Sequence, residues 1–407
     1  MDRDEPRSRA CLGAGKKTGA RLGRCYHALA SRMGRPIIGG GAQSELQRRL
    51  AQAPRLVLPR AGSDGDGPVK IAICVIAKNE EGTISALVSQ LARQTLLSQP
   101  YRFQILVVAN ACSDATAAVA RAALLRAFAD RPADILVHET PIGGKARSWN
   151  LAVHELVAED AEIILFLDSD IEFIDDLVLE RLIGTLRADA ALLAVSGHPV
   201  KNILKKRRKT LIDRFSLIIS RHALTPHAIN GSLYAARMEP LRKTWLPVPT
   251  PGEDGLLTAM IHTDGFSRPA LHSVITQIAR PTHYFEAHSV SGFFRHERRM
   301  TVGTVINGWI CEFMWAANYK ENAGPFIRDR NEKDPEWIGR LIESRVAGRR
   351  WALPPRMLTW RLHSLRGIGV MRAVERAPFS LAATLLGIWP AIQANRTLRR
   401  KDSAHFW

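Results

Sequence analysis

Between Val69 and Asp170 the chain alternates continuous apolar runs with periodic ones. "VKIAICVIA" is short, unbroken and rich in β-branched residues, which predicts a buried strand. "EEGTISALVSQLARQTL" follows it with apolar positions at helical spacing. "FQILVVAN", "ADILVHET" and "AEIILFLDSD" predict three more strands. "SDATAAVARAALLRAFA" and "GKARSWNLAVHELVA" predict two more helices, the first with Ser113 or Asp114 as its N-cap. Strands alternating with helices imply βαβ units on a mostly parallel sheet, covered on both faces and joined by right-handed crossovers. Ligands of such sheets bind outside the carboxyl ends of the strands.

The regularity then breaks. "LAVSGHPV" and "AINGSLYAA" predict further strands, with the cationic connector "KNILKKRRK" between them. From about residue 301 the pattern is helical, with Trp309, Trp315, Trp337, Trp351 and Trp360 spread through it. Residues 1–67 are rich in Arg, Gly and Ala and have little periodicity. They are expected to be a basic, largely disordered extension with one short helix at "QSELQRRLAQA". The expected division is 1–67, an α/β domain over 68–300, and a helical region over 301–407 that meets a membrane surface.

A chain of 407 residues with 46% hydrophobic and 24% charged residues can bury a large core. Its net charge of +18 implies an anionic partner: nucleic acid, an anionic membrane or a phosphorylated ligand. The five cysteines are scattered and lack Cys-x-x-Cys spacing, so a disulfide framework or a zinc site is not expected and a reducing cytosol fits. Cys74 and Cys112 lie in or beside apolar runs and are read as core residues rather than nucleophiles. The first fifty residues hold no apolar stretch of signal-peptide length, and Asp2, Asp4 and Glu5 argue against a transit peptide.

The chemistry begins at "FLDSD". Asp168 and Asp170 are i and i+2, so at an extended strand end they project to one side. Hard oxygen ligands at that spacing suit Mg2+ or Mn2+. Asp at a strand end is also ordinary turn chemistry. Context favours a site, because the first strand ends in "AKNEEGT" and the second in "ANACSDAT", at the same sheet edge. Further on, "VPTPGEDGLLTAMI" opens a helical run with Glu253 and Asp254, where the macrodipole favours acids. A capping acid can also face a cleft.

In order and spacing, "VIAKNEEGTI", "VVANACSDATAAVA", "GGKARSWNLAV", "FLDSD", "NGSLYAAR" and "GEDGLLTAMI" resemble the family 2 glycosyltransferases of GT-A fold, over about residues 70 to 300. The resemblance implies that Ala77, Asn79 and Glu80 form the loop that holds the nucleoside. Asn110 stands where the family usually has an Asp that accepts from the base; its carbonyl can also accept. Asp114 matches the acid of that motif or serves as a cap, and Lys145 matches a basic residue near the nucleotide. Asp168 is expected to approach the ribose or the metal, Asp170 to bind the metal, and Asp254 to act as general base. "FFRHERRM" lies where processive members carry Gln-x-x-Arg-Trp. Arg298 matches the Arg and is expected to neutralise the diphosphate. Gln and Trp are missing, so transfer is expected to be non-processive. Some GT-A enzymes use a histidine as an extra metal ligand, and the sequence does not choose among His272, His283, His288 and His296.

The activity so implied is inverting and dependent on Mg2+ or Mn2+. It moves a sugar from a nucleoside diphosphate sugar, UDP first, to a hydroxyl of a sugar, polyprenyl-linked or other acceptor, in cell-surface glycan or glycolipid assembly. The expected location is cytoplasmic, peripheral at the cytoplasmic face of the membrane. A nucleotidyltransferase would place a Gly-rich, Arg-containing loop after the first strand, where this chain has "AKNEEG". A nucleic-acid-binding protein would interleave aromatics with its basic residues, and these lack them, so no specific nucleic acid is expected. A sugar-nucleotide binder without catalysis would bury Asp254 away from the cleft.

"APFSLAATLLGIWPAIQA", residues 377–394, carries no charge. As a helix it would be about 27 Å long, just short of a bilayer core of about 30 Å. Pro378 and Pro390 would disturb its ends. Arg372 and Arg376 precede it, and Arg396, Arg399, Arg400 and Lys401 follow. The expectation is a membrane-surface or buried helix rather than a span, helped by attraction of the "KKRRK" loop to anionic lipid.

Overall fold

A computed structural model describes residues 68–131, 133–210, 213–214, 216–217, 226–287, 290–363, 365 and 369–400. The expected N-terminal extension and its short helix, and His288, lie outside these residues.

Strand β1 (Lys70–Ala77) leads to α1 (Ile84–Arg93), β2 (Arg102–Asn110), α2 (Thr116–Ala127), β3 (Ala133–Thr140), α3 (Lys145–Leu151) and β4 (Ala161–Asp168). β1 pairs in parallel with β2 and with β4, and β2 with β3. These are the alternating units that the sequence predicts. The N-cap of helix α2 is Ala115, one residue after Asp114 and two after Ser113. The Asp114 carboxylate still accepts from the Thr116 N–H at 3.1 Å.

The chain continues through β5 (Glu172–Phe173), α4 (Val178–Ala188), β6 (Ala194–Ser196), β7 (Pro199–Lys201), β8 (Leu233–Arg237), α5 (Met238–Arg242), α6 (Glu253–Thr263), β9 (Ile275–Gln277) and β10 (His283–Phe285). The main sheet has seven strands in the order β3-β2-β1-β4-β8-β6-β9, and β5-β10-β7 form a second, small sheet. β8 runs antiparallel to β4 and β6. That reversal matters for the site, because Leu233 at the start of β8 pairs with Leu167 at the end of β4. The loop Asn230–Ser232 therefore arrives beside Asp168, whose N–H donates to the Ser232 carbonyl at 2.9 Å.

The period of two along β1 sorts its side chains between two cores. Ile71, Ile73, Val75 and Ala77 join the face covered by α1, α2 and α4. Ala72, Cys74 and Ile76 join the other face, with Trp149 of α3 and residues of α6. Five more helices follow: α7 (Val290–Ala317), α8 (Gly324–Lys333), α9 (Trp337–Val346), α10 (Pro355–His363) and α11 (Val370–Arg399). The expected boundary at residue 300 falls inside α7, and Val302, Ile306 and Ile310 of that helix belong to the Cys74 core. The C-terminal helices thus cover one face of the sheet instead of building a core of their own. α11 passes through both Pro378 and Pro390 without ending, contrary to the expectation from their missing N–H groups.

Candidate active site

The first two strand ends are knitted together. Asn79 lies in the left-handed region with φ 57°, a conformation Asn tolerates, and its Oδ1 accepts from the Ser113 N–H at 2.8 Å. The Glu80 N–H donates to Thr116 Oγ1 at 2.7 Å, and the Glu81 N–H to Asp114 Oδ2 at 3.2 Å. Cys112 is not a core residue. It is half-buried in this loop, where its Sγ accepts from the Asn79 N–H at 3.4 Å. Ala77 is fully buried at the end of β1. Ala111 carries an unusual positive φ of 49° at the end of β2, the kind of backbone strain that gathers at functional sites.

Asn110 is buried, and its Oδ1 accepts from the Gly144 N–H at 2.8 Å. It thereby holds the Gly143–Gly144 turn, where Gly144 has φ 147°, and an amide oxygen has a second lone pair to offer. That turn starts α3 and so sets the position of Lys145.

Lys145 is the centre of the site. Its Nζ lies 2.6 Å from Asp168 Oδ1 and 3.3 Å from Glu253 Oε1, and donates to the Gly231 carbonyl at 3.2 Å. One ammonium thus joins the end of β4, the loop before β8 and the first turn of α6. Burial works to lower its pKa, but the charges of Asp168 and Glu253 outweigh it, and the ammonium is held above its ordinary value. Burial pushes the Asp168 carboxyl up to about 6 against the pull of Lys145, and Asp170 and Glu253 add to the rise. Glu80 is also raised, first by burial and then by the charges of Asp170, Asp114 and Glu286, while a hydrogen bond from Thr83 pulls the other way. The floor beneath is aromatic. Trp149 Nε1 donates to the Tyr234 hydroxyl at 2.7 Å, and Phe166 stacks on both rings. Asp254 lines the same cleft as Lys145, Asp168, Gly231 and Glu253, and is not sealed away from it.

Two contacts from α7 fix the turn that presents Asp254. Gly252, the N-cap of α6, is left-handed with φ 73°. Asn307 Nδ2 donates to its carbonyl at 2.7 Å. One helical turn earlier, Gly303 packs so closely that a Cβ there would lie 2.8 Å from the Pro251 carbonyl oxygen. Arg298 is on the same helix, nine positions before Asn307. That is about two and a half turns, so it leaves α7 on the opposite face. Among the described contacts, none joins Arg298 to the Lys145 cluster.

The histidines sort differently. His283 is fully buried, with Nε2 2.7 Å from Ser232 Oγ and Nδ1 2.8 Å from Thr282 Oγ1. Burial, aided by His198, lowers it to about 3, so it is neutral and spoken for by hydroxyls. His272 sits against His262, with their Nδ1 atoms 3.3 Å apart.

Among the described residues no group of three or more His, Cys, Asp or Glu is arranged to hold a metal ion. Asp168 and exposed Asp170 are nonetheless a fitting pair of hard donors. They lie in a negative locus with Glu80 and Glu286: the Asp170 charge raises both Glu80 and Asp168, and the Glu286 charge raises Glu80. A divalent cation would relieve that repulsion. Mg2+ uses only one or two protein carboxylates and completes its shell with water and substrate phosphate.

Glu253 stands out in the sequence only as half of the acidic pair in "GEDG", Gly231 and Tyr234 only as members of "NGSLYAAR", and Gly303 and Asn307 carry no local signal of a site.

No curated protein sequence matches the chain. Among solved structures, a mannosyltransferase from Pyrobaculum calidifontis, in complex with GDP-Man and Mn2+, is 17% identical with a TM-score of 0.43, over 95% of this chain and 96% of that one. Glucosyl-3-phosphoglycerate synthase from Mycobacterium tuberculosis, in complex with Mn2+, UDP-Glc and phosphoglyceric acid, is 17% identical with a TM-score of 0.41, over 59% of this chain and 80% of that one. Residues 72–245 match the family described as Glycosyl transferase family 2.

Proposed function

We propose that this glycosyltransferase moves a sugar from a nucleoside diphosphate sugar to an acceptor hydroxyl, with inversion and with the help of Mg2+ or Mn2+. The observation that carries the reading is the bridge of Lys145 between Asp168 and Glu253, at 2.6 and 3.3 Å. It ties the donor-side carboxylate to the helix turn that carries Asp254.

Asp168 and Asp170 would hold the cation, and Lys145 fixes the orientation of Asp168. The bound cation supplies positive charge that offsets the charge developing on the leaving diphosphate. Asn79 and Glu80 shape the nucleoside side of the cleft. Asp254, at the positive end of α6, takes the proton of the acceptor hydroxyl. Attack from the side opposite the diphosphate inverts the anomeric centre. UDP is the nucleotide to test first, with GDP and TDP as alternatives, since Asn110 stands where the family usually has an Asp. The product is released after each transfer, and the role is in cell-surface glycan or glycolipid assembly.

A thermal-shift screen of nucleoside diphosphates with Mn2+ tests the donor, and turnover of Asp170→Asn and Asp254→Asn tests the roles. Both variants are expected to lose transfer. Asp170→Asn alone should weaken cation-dependent nucleotide binding. Wild-type-like turnover from either variant would refute the assignment.

A further inference from the structure

Helix α11 has two unlike faces. Ala383, Ala391, Ala394 and Leu398 are buried on one of them. On the same side the Asn395 side chain accepts from the Ala352 N–H at 2.7 Å and donates to the Arg350 carbonyl at 3.2 Å. This face packs along α7 and α10 and reaches α9. The other face is open. Val370, Val374, Leu381, Leu385, Ile388 and Trp389 are between 44% and 83% exposed. At about 100° per residue they fall within a sector of about 100° on one side of the helix. From Val370 to Trp389 the stripe is about 28 Å long.

Residues Ala377–Arg399 are long and apolar enough to cross a membrane by length and composition. The buried face argues against a crossing, because Asn395, Ala391 and Leu398 are held by the protein and not open to lipid all round. A helix fastened to the protein body on one side and apolar on the other lies along a membrane surface.

The charges around the stripe identify its partner. Arg396, Arg399 and Arg400 are exposed at its C-terminal end. Arg295 and Arg299 are exposed on α7, against which α11 packs. The whole chain carries +18. Apolar side chains sink to the boundary of headgroups and acyl chains, while arginines meet lipid phosphates. A second copy of the chain would bring equally basic surfaces together. We infer that the open face of α11 docks the chain onto a bilayer rich in anionic headgroups.

Stable attachment of this kind takes two signals, here the stripe and the arginines, so removing either should release the protein. The test is flotation of the full chain with vesicles of phosphatidylglycerol and phosphatidylcholine, with phosphatidylcholine vesicles alone, and at low and high salt. The comparison variants are Leu385→Asp with Trp389→Asp, and Arg396→Glu with Arg399→Glu and Arg400→Glu. Wild type should float with the anionic vesicles, and at least about tenfold less with phosphatidylcholine alone or at high salt. Each variant should lose at least about tenfold in flotation while keeping its Tm and nucleotide binding. If the apolar pair lowers Tm, the arginine variant decides. A wild type that stays with the soluble fraction would overturn the inference. So would variants that float like wild type, or a wild-type dimer that the apolar pair splits in the absence of flotation.

Discussion

Asn307 Nδ2 donates to the Gly252 carbonyl at 2.7 Å, so a helix beyond the matched domain holds the turn that presents Asp254. Asn307→Ala would take one of two donors from that half-buried carbonyl, which keeps the Gly255 N–H at 3.2 Å, at a cost of roughly 0.5 to 1.5 kcal/mol. Its effect on activity should fall on kcat, because Gly252 precedes Asp254 and lies away from the loops of Asn79 and Glu80. Turnover is expected to drop at least about tenfold, while affinity for a nucleoside diphosphate stays near wild type. Calorimetric binding beside steady-state kinetics checks the split. Equal loss in both would mean that Asn307 supports the whole site and not the Asp254 turn alone.

Gly303→Ala tests the same clamp by crowding. The added methyl would stand 2.8 Å from the Pro251 carbonyl oxygen, and backbone cannot swing away as a flexible side chain can. The helix or the turn must move, so kcat should fall while the helical content measured by circular dichroism holds. Ordinary kcat would show that the turn tolerates the shift.

Lys145→Met would leave Asp168 and Glu253 facing each other without their shared cation. Breaking a partly buried charge cluster this way costs roughly 3 to 5 kcal/mol, less whatever solvent reaches the site. The variant should melt lower than wild type, and saturating Mn2+ should recover part of the loss by standing against the freed carboxylates. A melting curve indifferent to Mn2+ would count against cation binding there.

Much of this architecture can be read from the sequence, for a physical reason. β1, β2 and β4 are buried on both faces, so their apolar runs are unbroken and their polar ends stand out. Asp168 is legible because it sits at such an end, and Asp254 because it opens a helical run after a Pro- and Gly-rich loop. β5, β7, β9 and β10 are two or three residues long and carry no period. The partners of Lys145 lie 23, 86 and 108 positions away along the chain, so no local window reveals them. Gly303 reads as a break in a helical run, yet it is the close contact that lets α7 lie against Pro251. Cys112 reads as a core residue yet is half-buried, because an apolar run beside a residue does not say that the residue itself turns inward.

His283 gives stability a pH dependence with a defined sign. Burial, aided by His198, depresses its folded value to about 3, against an unfolded value near 6.5. Between those values the unfolded chain binds the proton and the folded one does not. Its contribution is therefore complete above about pH 6.5 and is lost progressively as pH falls toward about 3, at about 1.4 kcal/mol per unit. At pH 5 the loss should be about 2 kcal/mol. Denaturant titrations across this range should show a slope that His283→Gln reduces. An unchanged slope in the variant would assign the acid sensitivity to other groups.

The final prediction concerns the cleft floor. Trp149 Nε1 donates to the Tyr234 hydroxyl at 2.7 Å, and both side chains are almost fully buried. Tyr234→Phe keeps the ring against Phe166 but orphans the indole N–H, which costs roughly 1 to 3 kcal/mol. Trp149→Phe removes the donor and also volume, so it should cost more, on the order of 3 kcal/mol. In the double variant neither group is left seeking the other, and the loss should be smaller than the sum of the singles by about 1 kcal/mol. Urea midpoints of the four proteins measure that difference. Donor affinity should fall with stability in the Trp149 variants, because Trp149 lies on the helix that begins with Lys145 and its displacement moves the ammonium. Tyr234→Phe leaves that helix in place and should bind nucleotide as wild type does. Strict additivity of the two substitutions would mean that the hydrogen bond adds nothing beyond the packing of the rings.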